Sequence, residues 1–330
     1  MAESKPLLDI PLRPASSLGL GYQKFLIHGV SGAGKTALGA EAPNPIILLT
    51  EMQGLATVLT HNPSATVVPI ESVARKLGVS EMDVVRDLMQ RARLGQFPEG
   101  STIVLDTADE LMRIMKDDMQ QGEEFTLQQW GGLTDRFRRF LRLFRDIPYN
   151  AIMLTHTDVT TEGEENLRYL TPAFLGRQIG PESPGYFSAV GWMFKRYPSE
   201  NDKKAKRGSR RGRRDKDDAK DEEATGDEEA TVVHLVMFDG PSRYAVKPTR
   251  PLRALEEPDV TDWLRRITEY RAELQTRVVD PVADGGDVDG PDDDPANGGG
   301  DEVVALTTTT TTEPDAKPAG RTRGGRRGAK

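Results

Sequence analysis

Residues 25–36, Phe-Leu-Ile-His-Gly-Val-Ser-Gly-Ala-Gly-Lys-Thr, restrict the fold more than any other part of this sequence. A short apolar strand runs straight into G-x-x-x-x-G-K-T, with Gly29, Gly34, Lys35 and Thr36 at the spacing of a phosphate-binding loop. The glycines let the backbone wrap a phosphate chain with successive N–H groups turned inward. Gly29, Val30, Ser31, Gly32, Ala33, Gly34, Lys35 and Thr36 are therefore the candidate cradle. Lys35 is expected to reach the β- and γ-phosphates and the Thr36 hydroxyl to ligate Mg²⁺. The helix-forming residues 37–41 then add a positive dipole end to the same anion. The plain alternative is a glycine-rich turn with an exposed lysine. The strand before the loop and the helix after it argue against that, so the chain is expected to bind ATP with Mg²⁺.

Strand-like runs then alternate with helical ones. Residues 45–50 are almost wholly apolar, as a strand covered on both faces should be, and 66–70 is a weaker strand. Ser80 caps a helix, with Asp83 completing part of a capping box and Met82, Val85, Leu88 and Met89 as the apolar face. Residues 102–105 form another buried strand, followed by a helix containing Leu111, Met112 and Met115. A long second helix over 127–146 is stopped by Pro148 before the strand 151–155. This alternation predicts a parallel, doubly wound α/β sheet. After Thr155 the pattern changes. Residues 186–196, 231–238 and 243–247 read as strands of a mainly antiparallel edge, with Asp239-Gly240 as a hairpin turn. A helix over 260–277 closes the folded part.

Two stretches do not fit this scheme. Residues 202–229 are almost entirely Lys, Arg, Asp, Glu, Gly and Ala, and 280–330 are dominated by Gly, Asp, Pro and Thr. Neither can bury enough apolar surface to offset chain entropy, so both are expected to be disordered. The expected organisation is an extension over 1–20, one folded domain over 21–278 with a charged insert near 200–230, and a tail over 279–330. The chain has no cysteine, which excludes disulfides and thiolate metal sites. Its start lacks an apolar signal region, and no run approaches the ~20 apolar residues of a membrane helix, so a cytoplasmic protein with no membrane partner is expected. The net charge of −8 does not advertise nucleic-acid binding, but charge is segregated: 203–214 and 321–330 are basic, 215–229 and 284–302 acidic.

The acids that would complete an ATPase site can be placed next. Residues 101–106, Ser-Thr-Ile-Val-Leu-Asp, are an apolar strand ending in aspartate. Such a strand is expected beside the phosphate-loop strand, so that Asp106 holds a Mg²⁺-bound water near Thr36. The position after Asp106, where many motor ATPases carry a glutamate, is Thr107. The water-activating carboxylate must come from elsewhere, and Glu51 is the candidate, at the end of a strand expected to neighbour the phosphate-loop strand. The ordinary reading of Glu51 is a solvated loop residue. Asp109 and Glu110 are read as stabilising a helix N-terminus. His156, at the end of strand 151–155, can either sense the γ-phosphate or serve as a hydrogen-bonded structural residue. His28, His61 and His234 show no metal spacing and are read as structural.

These residues resemble a known group. The order of phosphate loop, strand-Thr-Glu51-x-x-Gly-Leu, strand-Asp106-Thr, a helix carrying Trp130-Gly131, and strand-Thr-His156 is similar to the phage RecA-like ATPases. These are core-only relatives of RecA, often described as AAA-domain nucleotide-binding proteins, and some are single-strand annealing recombinases. The resemblance spans about 22–267 and implies a RecA-like P-loop NTPase core with a mostly parallel sheet, flanking helices and an antiparallel edge. It implies Glu51 as catalytic glutamate, Asp106 as Mg²⁺ aspartate and His156 as γ-phosphate sensor. The segment Lys247-Pro-Thr-Arg250 resembles the basic pair that such oligomers insert into a neighbour's ATP site, with one residue more than the usual spacing. A homo-oligomer, ring or filament, follows from that. A solvated pair after an edge strand is the plain alternative.

Single-stranded DNA is the implied partner. The loop after His156, 158–165, is acidic and would repel phosphate. Binding would instead use Arg168, Tyr169, Arg177 and the basic 203–214 block, with the Arg-Gly-rich 321–327 as an arm. Phe174, Tyr186 and Phe187 read as core or interface. The expected function is thus an ATP- and Mg²⁺-dependent ATPase acting on single-stranded DNA in phage recombination or replication, in the host cytoplasm. A nucleotide-switched protein that recruits replication or single-strand-binding proteins through its charged arms, without touching DNA, is the alternative. A small-molecule kinase is set aside, because no separate lid or acceptor-binding arginine cluster is visible.

Overall fold

The apolar runs of the sequence become strands that are buried on both faces. The computed structural model describes residues 21–120, 124–162, 167–197 and 232–279. The insert and tail expected to be disordered lie outside the described residues, as do the basic 203–214 and 321–327 segments. All described residues belong to the unit Met1–Pro281, one of two into which the chain divides.

The central strands are β1 (Lys24–Gly29), β2 (Pro45–Leu49), β3 (Thr66–Pro69), β4 (Thr102–Asp106) and β5 (Asn150–Glu162). They are joined by β6 (Leu167–Pro172), β7 (Ala189–Arg196), β8 (Val233–Met237) and β9 (Leu255–Glu256). The sheet runs β3-β2-β4-β5-β1-β7-β8-β9, with β6 paired to β5. From β3 to β7 every pairing is parallel; β7–β8 and β8–β9 are antiparallel.

Side chains alternate across this sheet. Leu26, Ile46, Leu48, Ile103, Leu105 and Met153 join one core, under α3 (Ile70–Leu77), α4 (Glu81–Arg93), α5 (Ala108–Met119) and α6 (Leu127–Asp146). Phe25, Ile27, Ile47, Leu49, Val104 and Leu154 join the other, under α1 (Lys35–Ala40), α2 (Gly54–His61) and α8 (Val260–Val279). Because both faces need cover, each strand reads as an unbroken apolar run. The α6 side chains Phe137 and Phe144 are fully buried, each contributing about 1.5–3 kcal/mol by removal from water.

Local signals fixed several helix ends. Ser80 Oγ accepts from Asp83 N at 3.1 Å, and Asp83 Oδ2 accepts from Ser80 N at 3.3 Å, a complete capping box for α4. α6 ends where Ile147, the residue before Pro148, turns extended (φ −65°, ψ 144°). A short α7 (Ile179–Glu182) leads into a 3₁₀ turn, Ser183–Tyr186, before β7.

Three expectations about neighbours are corrected. The Asp106 strand does not lie beside the phosphate-loop strand, because β5 is inserted between β4 and β1. Strand β2 does not neighbour β1 either; it pairs with β3 and β4. Beyond β1, β7 extends the parallel set and on its other side opens the expected antiparallel edge, against β8. Asp239-Gly240 does not join a hairpin to 243–247. β8 pairs with β9, and 243–247 makes only isolated bridges, Tyr244 to Leu170 and Lys247 to Val190. A continuous chain of apolar residues shows that a strand is central but not which strand adjoins it.

Candidate active site

Because β1, β2, β4, β5 and β7 run parallel, their carboxyl ends emerge at one edge. Residues 29–36, Glu51 and Asp106 lie at or just past such ends, and His156 lies within β5 opposite Gly29, the last residue of β1. The phosphate loop closes on itself: Ala33 N donates to Val30 O at 3.1 Å, and the Lys35 ammonium donates to Gly29 O at 2.8 Å and Val30 O at 3.1 Å. Two glycines are required by sterics. A Cβ on Gly29 would stand 2.5 Å from Met193 O, and Gly34, at φ +103°, would place one 2.7 Å from His234 Nδ1. Lys35 is buried, and burial pulls its ammonium below the usual lysine range while Asp106, Asp109 and Glu51 pull the other way.

Asp106 faces the loop across β5, which separates β4 from β1. Thr36 Oγ1 donates to its Oδ2 at 2.8 Å. The carboxyl is 4% exposed, and burial raises its pKa against the opposing pull of Thr36 and Lys35. A buried carboxylate that costs free energy to ionise, paired with a hydroxyl oxygen, is the hard-oxygen donor set a Mg²⁺ ion takes. The site residues therefore fit the expected ion.

Thr50 locks Glu51 beside this aspartate. Its backbone N donates to Asp106 O at 2.8 Å, and its hydroxyl accepts from Thr107 N at 2.8 Å. Glu51, half-buried, lines the same cavity of about 480 Å³ as Lys35, Thr36, Asp106, Thr107 and His156. The Thr107 hydroxyl in that wall is buried with no hydrogen-bond partner among the described residues.

The fourth component is a pair. His156 Nδ1 donates to Asp109 Oδ2 at 2.9 Å, and His156 N donates to Asp109 Oδ1 at 3.3 Å. Asp109 is 4% exposed; burial alone would raise its pKa, but hydrogen bonds and charge from His156 hold it below the usual carboxylate range. Asp109 stands in the first turn of α5, as expected of a residue that stabilises a helix N-terminus, and in addition holds His156. Glu110 does pair on its own helix, with Arg113 at 2.8 Å.

Other predicted residues fall elsewhere. Lys247 donates to Phe187 O at 2.7 Å and Pro184 O at 3.2 Å, bracing the turn before β7, while Arg250 is exposed; neither lines this chain's cavity. Arg168 and Arg177 are exposed and also outside it, with Arg168 opposite Thr161 and Tyr169 opposite Thr160 on the β5–β6 hairpin. Phe174 packs on Phe137 at 5.2 Å, and Phe187 on Phe144 at 6.5 Å, as core residues. His61 and His234, read as structural, both line the cavity. His234 Nδ1 donates to Ala33 O at 2.6 Å, and His61 pairs with Glu41 at 2.7 Å at the far end of α1. No spacing rule could have found these, since β8 and α2 bring them in from distant sequence.

His28 is wholly buried and structural, linking β1 to two segments near the site. Its Nε2 donates to Ala245 O at 3.1 Å, and its Nδ1 accepts from Thr157 Oγ1 at 3.0 Å. With Nδ1 as acceptor the ring is neutral, and burial, aided by Lys35, lowers its pKa from 6.5 to about 4 against the pull of Ala245 O. The unfolded chain binds this proton between pH 6.5 and 4 and the folded chain does not, so stability falls as pH drops through that window. About 3 kcal/mol is expected at about 1.4 kcal/mol per pKa unit. Denaturant melts between pH 4 and 7 should show this loss for the native chain and a flatter profile for His28→Gln; parallel profiles would contradict it.

A family model described as an AAA domain matches residues 22–220. The chain belongs to the AAA domain family. It is an AAA-type nucleotide-binding ATPase domain, and its β8, β9 and α8 lie beyond the matched span. No curated protein matches the chain. Among solved structures, an ATPase from the type III secretion system of pathogenic bacteria is similar at 13% identity and TM-score 0.33, over 56% of this AAA domain chain and 54% of that protein. The likeness thus spans about half of that protein's length. Among the described residues, no helix is long and apolar enough to cross a membrane.

Proposed function

We propose that this AAA domain is a RecA-like, Mg²⁺-dependent ATPase that acts on single-stranded DNA in phage recombination or replication. The observation that carries the ATPase part is the convergence of Lys35, Thr36, Asp106, Glu51 and His156 on one cavity, from four different places along the sheet edge. When bound between Thr36 and Asp106, Mg²⁺ would neutralise charge on the β- and γ-phosphate oxygens. Lys35 exchanges its two loop carbonyls for phosphate oxygens. Glu51 takes a proton from the attacking water, held in place because Thr50 is bonded to Asp106 and Thr107. His156 donates from the opposite side to the γ-phosphate, and its strand runs directly into the β5–β6 hairpin that bears Arg168 and Tyr169. That continuity is what favours coupling to a strand of DNA, with Tyr169 for base stacking and Arg168 for phosphate.

In an oligomer, the exposed Arg250 is the better candidate to enter a neighbour's site, since the Lys247 ammonium already braces two carbonyls of its own chain. The alternative, a nucleotide-switched recruiter that leaves DNA alone, draws on the exposed Asp158 of the same hairpin. Steady-state ATP hydrolysis with and without single-stranded DNA separates the two readings. DNA stimulation that fades as salt rises is expected; slow hydrolysis indifferent to DNA at every salt would transfer the function to the recruiter.

A further inference from the structure

We propose that Asp109 is the positioning residue for His156, fixing which ring nitrogen reaches the nucleotide and tying the nucleotide contact to the hairpin. The inference rests on the reading of His156 as a γ-phosphate contact. Asp109 stands three residues beyond Asp106, on the first turn of α5, so one short segment serves both halves of the site: Asp106 toward Thr36 and Asp109 toward His156.

A buried carboxylate must be paired by hydrogen bonds or neighbouring charge. Asp109 takes its partners from β5: the ring Nδ1–H of His156 at 2.9 Å, the backbone N–H of His156 at 3.3 Å and the Thr155 hydroxyl at 3.2 Å. The Thr155 hydroxyl has one proton, and Ala173 O competes for it at the shorter distance of 2.8 Å. His156 therefore supplies two of the donors that hold the carboxylate, beside the N–H of Asp109 itself. Accepting from Nδ1–H fixes the tautomer and turns Nε2 toward the cavity that His156 lines. When Nε2 donates to a phosphate oxygen the ring carries a positive charge, which the adjacent carboxylate offsets.

The same residues reach the hairpin. Ala173, just past β6, donates its N–H to His156 O at 2.8 Å while its own carbonyl accepts from Thr155. A His156 ring held by Asp109 cannot move toward the nucleotide without carrying this junction. With Asp109 absent, the ring would turn freely and the junction would lose its anchor to α5.

A double-mutant cycle on the full chain tests this, using kcat for ATP and the Kd of a slowly hydrolysed ATP analogue. His156→Asn keeps a donor for Asp109 but removes Nε2, and Asp109→Ala removes the anchor. Asp109→Ala should lower kcat roughly 10- to 100-fold, as losing the outer partner of a ligating histidine does, with analogue Kd changed less than about 3-fold. The double variant should be no slower than His156→Asn alone. Asp109→Asn, whose amide oxygen can still accept from Nδ1–H, should recover part of the rate; if Asp109→Ala does not fold, it carries the same cycle. Additive losses, with His156→Asn slow, would overturn the role of Asp109 and leave the ATPase reading intact. An unchanged kcat in His156→Asn would overturn the sensor reading and this proposal together.

Discussion

Replacing Lys35 with alanine should abolish measurable ATP turnover and weaken nucleotide binding about 100- to 4,000-fold. The estimate follows from removing one partner of a buried charge interaction, ~3–5 kcal/mol, at about 1.4 kcal/mol per decade of affinity. The ammonium is 6% exposed and already inside the loop, donating to Gly29 O and Val30 O. It is therefore preorganised where phosphate oxygens would replace those carbonyls, and little ordering free energy is spent on binding. The charges that act on it, Asp106, Asp109 and Glu51, are all acidic, so without Lys35 a triphosphate would face three carboxyl groups with one cation fewer to offset them. Titration of a fluorescent ATP analogue, beside thermal melts showing an intact fold, measures the effect. Binding within about 5-fold of the native chain would remove the phosphate loop from its assigned role.

Much of this architecture is legible in the sequence, and the reasons differ by element. The phosphate loop could be read because glycine sterics and one lysine impose a local pattern; Gly29 and Gly34 are required by contacts at 2.5 and 2.7 Å. The helices α4 and α6 could be read because Ser80 and Pro148 act within a few residues of the ends they set. Sheet order could not be read, because the parallel strands are buried on both faces and carry no mark of their neighbours. Glu51 lines the cavity although β2 pairs with β3 and β4 rather than with β1. In a parallel sheet every carboxyl end points to the same edge, so its place there does not depend on which strand adjoins β2. Asp109, Thr50, His61 and His234 escaped because their roles depend on long-range contacts: Thr50 to Thr107, Asp109 to His156, His234 to Ala33. No periodicity or spacing encodes such pairs.

Glu51→Gln should separate binding from chemistry. Thr50 holds the start of this residue's backbone against Asp106 and Thr107, and Gly54 N donates to Glu51 O at 3.2 Å, so the chain at position 51 is fixed from both sides. Glutamine keeps that backbone, the side-chain volume and the ability to hydrogen-bond a water. It loses the capacity to accept the proton, and general-base catalysis contributes about 10²–10⁴ in rate. Turnover should fall by that factor while affinity for ATP holds or tightens, since a negative charge near the γ-phosphate is gone. Single-turnover hydrolysis and equilibrium binding on the same preparation read both quantities. Thr107 cannot take over the role: a neutral hydroxyl is far too weak a base at pH 7, and its oxygen is buried. Of the histidines lining the cavity, His234 is bonded to Ala33 O and His61 to Glu41, so His156, with its Nδ1 committed to Asp109, is the competing base. Undiminished turnover in Glu51→Gln would therefore move the proton to Nε2 of His156, and His156→Asn would then have to abolish hydrolysis without affecting binding.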